Sequence, residues 1–174
     1  MSNSGVLDLY NNSFTHAAST STYTAYLYNG GAIRMKNNSF TNYASNYALY
    51  VYGGFTVTES DHNNFYNPGG GLVYFGTSQY SSLQDYQNAT GNDLNSVNTD
   101  PNWEEFMNCV TCNDTMSNAG QVLATLTDDI QGNARSVQNP DIGPVEFVSP
   151  ASFTLGGDDT VCGSEVIVEA GPAQ

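Results

Sequence analysis

Short stretches of alternating apolar and polar residues recur through the first half of the chain. The clearest lie at 25–28, 49–52 and 73–76, where an aliphatic or aromatic residue alternates with tyrosine or glycine. Successive side chains of a β-strand point to opposite faces, so a period of two predicts strands with one buried face. Tyrosines then point outward. The residues predicted to point inward are Ala25, Leu27, Leu49, Val51, Val73 and Phe75.

These stretches recur at a nearly constant interval. Tyr26, Tyr50 and Tyr74 are spaced by 24 residues, and an Asn-Asn-Ser-Phe sequence at 11–14 returns at 37–40 and, shortened, at 63–65. Self-similarity at such a period indicates one supersecondary unit that is repeated. Repeats of this length, with two or three short strands joined by Asn or Gly corners, are typical of a parallel β-helix. A propeller blade needs roughly 40 residues or more.

The strand that precedes each Asn corner repeats as well. Asp8 aligns with Arg34, which predicts a surface ion pair. The alignment leaves residues 59–62 as an insertion. Asn suits the corners because it tolerates left-handed backbone and can hydrogen-bond its counterpart in the next repeat. The aligned inward pairs are Leu7 and Leu9, Ile33 and Met35, and Phe55 and Val57.

The repeat pattern ends near residue 81, and this defines the predicted organisation. We expect an all-β chain, with coils of a parallel β-helix at 1–80 and a last coil with an irregular cap at 81–149. Within the cap, 122–127 and 142–148 read as strands. A solenoid needs such a terminal unit to cover its last edge. Residues 150–174 read as a linker and the first strand of a following module.

The charge balance excludes several classes of partner. Three Lys+Arg residues stand against seventeen Asp+Glu, a net charge of −14, which repels nucleic acids and anionic membranes. No apolar run is long enough to insert into a membrane. A Lys-poor, acidic chain is typical of an extracellular or cell-surface setting. Because residues 1–12 lack the pattern of a secretion signal, we expect this chain to begin inside a longer protein.

Three cysteines are present. Cys109 and Cys112 form a Cys-x-x-Cys sequence, which predicts a disulfide that staples a loop. A metal half-site with Cys162 is the alternative, although zinc requires four donors. An odd cysteine in an exported chain indicates a partner beyond the sequence given, so we expect Cys162 to pair there.

Six short segments of the second half carry a resemblance to a known family: 85–86, 90–93, 95–97, 100–103, 128–135 and 140–147. Together they resemble the C-terminal region of bacterial secreted right-handed β-helix repeat surface proteins, although Gly143-Pro144 stands where Gly-Ala is more usual. The tail from Leu155 to Gly171 is similar to the opening of an immunoglobulin-like or PKD-like module. The resemblance implies a right-handed parallel β-helix, and its superfamily includes pectate lyases, glycosidases and adhesins.

The outward tyrosines are the leading candidate for a binding site. Tyr26, Tyr28, Tyr50, Tyr52 and Tyr74 would form a ladder with rungs about 4.8 Å apart, on which sugar rings could stack. The alternative is that cross-strand aromatic pairs simply stabilise the sheet. We therefore expect a non-catalytic structural or adhesive module, with polysaccharide as the candidate partner. An exposed end coil also predicts end-to-end self-association.

Catalytic alternatives need other residues. In a polysaccharide lyase Arg34 or Lys36 would be the base, and in a glycoside hydrolase Glu59 and Asp61, beside His62, would be the paired carboxylates. In this alternative the chain is a fragment of a carbohydrate-active enzyme whose catalytic coils lie upstream. No cofactor is indicated, and Ca²⁺ is the one ion for which the sequence offers oxygen-rich loops. The residues considered for it are Asp93, Asp100, Asp128 and Asp129, whose alternative role is to cap turns and to pair with Arg135.

Overall fold

The fold is described by a computed structural model over residues 5–17, 20–105, 110–111 and 113–147. Across these ranges the chain forms twelve strands and one helix. The strands are β1 (Val6–Tyr10), β2 (Ser13–His16), β3 (Ala25–Tyr28), β4 (Ala32–Lys36), β5 (Ser39–Asn42), β6 (Leu49–Tyr52), β7 (Thr56–Asp61), β8 (Asn64–Tyr66), β9 (Val73–Phe75), β10 (Ser78–Tyr80), β11 (Trp103–Glu105) and β12 (Val110–Thr111). The helix is α1 (Leu83–Thr90).

The first nine strands form three parallel sheets. The orders are β1-β4-β7, β2-β5-β8 and β3-β6-β9, and β10 adds to the last sheet in antiparallel sense. Each repeat therefore contributes one strand to every sheet: β1 to β3 in repeat 1, β4 to β6 in repeat 2, and β7 to β9 in repeat 3. The prediction of a β-rich chain with parallel pairing is confirmed, with α1 as the one helical exception in the described ranges.

The core lies between these sheets, and the inward prediction for β3, β6 and β9 is confirmed. Leu49 and Val73 are fully buried, Val51 is 2 % exposed, and Ala25 is 8 % exposed. Leu27 and Phe75 are partly buried and pack against the same core. Burial of apolar side chains in register stabilises the stack by roughly 25 cal/mol per Å² removed from water.

Identical side chains stack from repeat to repeat at the Asn corner. Phe14, Phe40 and Phe65 form a column with ring centroids 5.2 and 5.4 Å apart and nearly parallel planes. Asn12 donates from Nδ2 to Asn38 Oδ1 at 3.0 Å, and Asn38 donates likewise to Asn63 at 3.0 Å. These bonds form the asparagine ladder. The residue before each ladder position has positive φ: Asn11 (53°), Asn37 (57°) and His62 (54°).

Repeat 3 departs from the sequence alignment. Val57, rather than Phe55, lies opposite Ile33, and a bulge that skips Thr58 places Ser60 opposite Met35. The predicted register was therefore wrong by two residues at its start. Phe55 precedes β7, and its ring lies over Gly30, where a Cβ atom would collide with it. Residues 59–61 are part of β7 and are not an inserted loop.

The end of repeat 3 is covered by residues 78–97. Tyr86 of α1 is fully buried, and its ring meets Phe65 edge-on at 6.2 Å. Ser82 caps the N-terminus of α1 by accepting from Asp85 N, and Gly91 ends the helix with φ of 72°. Val97 forms a parallel β-bridge with Asn64 and so occupies the free edge of β8. Within the described ranges, no helix has the length and apolar character that crossing a membrane requires.

Residues 113–147 pack along the side of the repeats. Asn37 exchanges two hydrogen bonds with the backbone of Gln121, and its carbonyl accepts from Gly143 N at 2.8 Å. The strands predicted at 122–127 and in the described part of 142–148 are absent, and turns and irregular backbone take their place. Leu126 N donates to Leu123 O in the first segment, and Phe147 N donates to the Asp141 carboxylate in the second, so these groups are not available to a sheet. Residues 150–174, with the predicted linker and strand, lie outside the described ranges.

Candidate functional site

The five predicted tyrosines lie together on the outer face of β3, β6 and β9. Tyr26, Tyr50 and Tyr74 are aligned residue by residue, as are Tyr28 and Tyr52. The exposed fractions are 52 % for Tyr26 and Tyr28 and 42 % for Tyr52. The period of two therefore predicted the outward face of these strands, and the 24-residue spacing predicted their register.

Two further tyrosines join them. Tyr23 and Tyr47 precede β3 and β6, and their rings lie 4.4 and 5.9 Å from the ring of Tyr50. Their signal was present, since they share the spacing of 24 residues. The equivalent position in repeat 3 is Gly71, and the Tyr47 ring occupies the space that a side chain there would need. The tyrosine surface is defined as Tyr23, Tyr26, Tyr28, Tyr47, Tyr50, Tyr52 and Tyr74.

Aligned tyrosines of β3, β6 and β9 stack face to face along the sheet, whereas the Tyr47 ring lies edge-on to Tyr50 and Tyr74. The Tyr50 and Tyr74 rings have centroids 4.1 Å apart and planes within 5° of each other, and Tyr28 stacks on Tyr52 at 5.7 Å and 12°. A ring whose faces are covered by its neighbours presents its edge and its hydroxyl to a ligand. The arrangement therefore favours rows of phenol hydroxyls over open aromatic platforms, which changes how a sugar would be held.

Two tyrosines in the middle of the surface have raised pKa values. Burial and the neighbouring Tyr74 hydroxyl raise the pKa of Tyr50 to about 12. Burial, followed by the Tyr74 and Tyr23 phenols, also raises the pKa of Tyr47. Tyr47 and Tyr50 therefore remain protonated at neutral pH, so each of these two hydroxyls can both donate and accept hydrogen bonds.

The residues of the catalytic alternatives are engaged in ion pairs and hydrogen bonds. Arg34 bonds both carboxylate oxygens of Asp8 at 2.6 Å, which confirms the predicted pair, and this contact lowers the pKa of Asp8. Lys36 pairs with Glu59 at 2.8 Å. Asp61 accepts from the backbone and side chain of Asn95. One candidate base, Lys36, is thus bound to one candidate carboxylate, Glu59, whereas Arg34 and Asp61 are held by other residues.

The acidic residues considered for Ca²⁺ are also satisfied by protein donors. Asp93 accepts from Ser60, Asn63 and Ser96, and both Asp129 oxygens accept backbone N–H groups. Within the described ranges no three His, Cys, Asp or Glu side chains form a metal-binding group.

Arg135 lies on the side of the molecule that residues 113–147 cover. It pairs with Glu146 at 3.4 Å and donates to the Gly143 carbonyl at 2.8 Å. Two pockets of about 290 and 330 Å³ adjoin it beside the corner at Asn11. The sequence did not indicate them, because most of their lining comes from residues 121–144, which carry no repeat.

Cys109 and Cys112, with Cys162, lie outside the described residues, so their predicted pairing stays a prediction. No family model, no curated protein and no solved structure matches this chain.

Proposed function

We propose that the repeats wind as a right-handed parallel β-helix with an irregular C-terminal region, and that the chain is a non-catalytic structural or adhesive module at a cell surface. Three parallel sheets that each take one strand from every repeat support this winding. Connections between parallel strands of one sheet are right-handed in nearly all proteins. The acidic, Lys-poor composition supports the extracellular setting.

We further propose that the module binds polysaccharide at the tyrosine surface. The observation that carries this proposal is a contiguous group of seven tyrosines, three of them at least 42 % exposed, on one face of the stack. Rows of phenol hydroxyls spaced by the strand separation of about 4.8 Å match the many hydroxyls of an extended glycan. Exposed apolar patches rimmed by polar groups also mark interaction sites in general.

The ligand on this proposal is an uncharged polysaccharide. The chain has only three Lys and Arg residues, and each is held by a carboxylate: Arg34 by Asp8, Lys36 by Glu59, and Arg135 by Glu146. Recognition of uronate or sulfate groups relies on such cations. With a net charge of −14, the protein would repel an acidic glycan instead.

Affinity electrophoresis in gels that contain a neutral β-glucan, with alginate gels beside them, tests the proposal. We expect retardation by the β-glucan alone. The combined substitution of Tyr26, Tyr28 and Tyr52 by alanine should weaken binding roughly tenfold or more. Tyr10→Ala, on another sheet, is the matched control. Substitution of the same three residues by phenylalanine separates hydroxyl contacts from ring contacts, because the stacked rings are retained.

The outcomes decide between the possibilities. Loss of binding in both the alanine and the phenylalanine variants supports recognition through hydroxyls, whereas loss in the alanine variant alone indicates ring contacts. Equal retardation by alginate contradicts the uncharged ligand. Absence of binding to any glycan in a broad array contradicts the glycan proposal as a whole, and release of sugar products contradicts the non-catalytic assignment.

A further inference from the structure

Two rings of the tyrosine surface lie in especially close contact, in the middle of the sheet that runs in the order β10-β9-β6-β3. Tyr50 and Tyr74 are paired in register between β6 and β9, with ring centroids 4.1 Å apart and planes within 5° of each other. Burial and then hydrogen bonding to the Tyr74 hydroxyl raise the pKa of Tyr50 to about 12, so the two hydroxyls are neighbours. The rings therefore overlap in the same orientation, and the Cε carbons beside one hydroxyl lie next to those beside the other.

The backbone on either side holds this pair in position. Leu49 and Val73 precede the two tyrosines in register, and Val51 and Phe75 follow them. Leu49 and Val73 are fully buried and Val51 is 2 % exposed, so the strands cannot shift without disrupting the core. Groups held in contact react as if they were present at a very high concentration. Radicals formed on both rings would thus combine with each other before they meet another copy of the chain.

Other pairs of tyrosine rings are less well placed to react. Tyr26 and Tyr50 lie 5.1 Å apart with planes that differ by 27°. Tyr43 and Tyr66 also connect repeat 2 with repeat 3, but their rings meet edge-on at 5.9 Å and 70°. A new bond between ring carbons forms along the π orbitals, which are perpendicular to the ring plane. Close and parallel rings favour it, and the Tyr50 and Tyr74 rings meet both conditions.

We propose that Tyr50 and Tyr74 form an oxidative cross-linking site, at which a haem peroxidase with hydrogen peroxide joins the two rings by a carbon–carbon bond. Each phenol gives up one electron and one proton and becomes a phenoxyl radical, whose unpaired electron is shared with the Cε carbons. A Cε carbon of Tyr50 bonds to a Cε carbon of Tyr74. The hydrogen on each bonded carbon then moves as a proton to the oxygen of its own ring, which restores both phenols. Hydrogen peroxide accepts the two electrons and two protons and becomes two molecules of water.

The oxidant has a route to these rings, although both are half-buried. Tyr52 is 42 % exposed, and its ring lies 6.5 Å from the ring of Tyr50 and 6.5 Å from that of Tyr74. An electron can pass from either ring to an oxidised Tyr52 over so short a distance. The product ties β6 to β9 by a covalent bond, and it therefore adds to the hydrogen bonds that hold repeat 2 against repeat 3.

Oxidation of the intact chain by a haem peroxidase and hydrogen peroxide, at a concentration at which copies rarely meet, tests this proposal. We expect dityrosine fluorescence in material that still migrates as a monomer, with a mass lower by two hydrogen atoms. In the untreated chain, a protease that cleaves at Asp61 separates Tyr50 from Tyr74. The two fragments should stay joined after oxidation, and tandem mass spectrometry locates the bond between them.

Tyr50→Phe and Tyr74→Phe each retain a stacked ring and remove the hydroxyl from which the radical forms. Each should lower the yield of joined fragments roughly tenfold or more, because the remaining tyrosine loses the partner that is held against it. Tyr66→Phe is the matched control and should leave the yield unchanged, since Tyr66 lies on the same fragment as Tyr74 but meets its neighbour edge-on. Circular dichroism verifies that each variant is folded.

Several results would overturn the proposal. Dityrosine that forms only between copies is one, and a bond that is located mainly at another pair of tyrosines is a second. Joined fragments that persist in both the Tyr50 and the Tyr74 variants are a third. Absence of dityrosine, while the same peroxidase couples free tyrosine in a parallel sample, overturns it equally. None of these outcomes depends on glycan binding, which is measured separately.

Discussion

We expect the Asn38→Ala substitution to lower the free energy of unfolding by about 3 kcal/mol. The Asn38 side chain is fully buried, donates to Leu9 O at 2.8 Å and Asn63 Oδ1 at 3.0 Å, and accepts twice from Asn12 at 3.0 Å. Each bond contributes about 1 kcal/mol net, and sharing of donors and acceptors lowers the sum of four. A buried donor left without a partner adds to the cost.

Asn12→Ala is the matched control, at the first position of the same ladder. Asn12 is half-buried, and its Nδ2 donates to Tyr10 O and Asn38 Oδ1, so we expect a loss of about 1 kcal/mol. Urea denaturation followed by circular dichroism measures both values. If Asn38→Ala costs no more than Asn12→Ala, side chains one repeat apart do not bond as described, and the stacking of repeats must be reconsidered.

Two further predictions concern the covered end of the stack. Burial raises the pKa of Asp93 above 3.8, although hydrogen bonds from Asn63, Ser60 and Ser96 act in the opposite direction. The contribution of Asp93 to stability is therefore present below pH 3.8 and is lost as pH rises through the folded-state pKa. The difference in unfolding free energy between wild type and Asp93→Asn should therefore fall with rising pH, by at most about 1.4 kcal/mol per pH unit. Urea titrations at several pH values measure this difference. A difference that does not change with pH would show that Asp93 is not protonated on folding. Ser82→Ala removes the N-cap of α1 and should lower the unfolding free energy by about 1 kcal/mol in the same assay. Ser81→Ala is the control and should lower it far less. Equal losses in the two variants would argue against the cap.

The sequence indicated the repeats because side chains one repeat apart repeat in type as well as in hydropathy. Tyr26, Tyr50 and Tyr74 could be aligned without a structure, and so could the Asp8 and Arg34 pair. The alignment failed at β7, which pairs from Val57 onward rather than from Phe55 and then gains one residue at the Thr58 bulge. Pairing with β4 and the contact of the Phe55 ring with Gly30 determine this register, and neither is local in sequence.

The second half was less predictable for a different reason. Helix α1 carries its signals, a Ser82-x-x-Asp85 cap and Gly91 after the last turn, but its eight residues are too few to show a clear apolar period. Residues 113–147 are held by side-chain bonds to distant backbone, such as Asn37 with Gln121, which leave no periodic pattern at all. The tyrosine surface presents ring edges to a ligand because of the orientation of its rings, and the 24-residue spacing does not determine that orientation.

The columns of the stack follow one physical rule. In parallel strands in register, each residue lies beside its counterpart about 4.8 Å away, so a column of like charges would repel itself. Phenylalanine, tyrosine and asparagine attract their own kind through stacking or amide hydrogen bonds, and these residues form uniform columns. Charged residues of the three sheets lie in two mixed columns: Asp8, Arg34 and Glu59 alternate in sign in one, and Lys36 lies between Tyr10 and Asp61 in the other. The chain can therefore be poor in charge within its repeats and acidic elsewhere, and tyrosine is the residue that keeps an exposed column both self-attracting and hydrated.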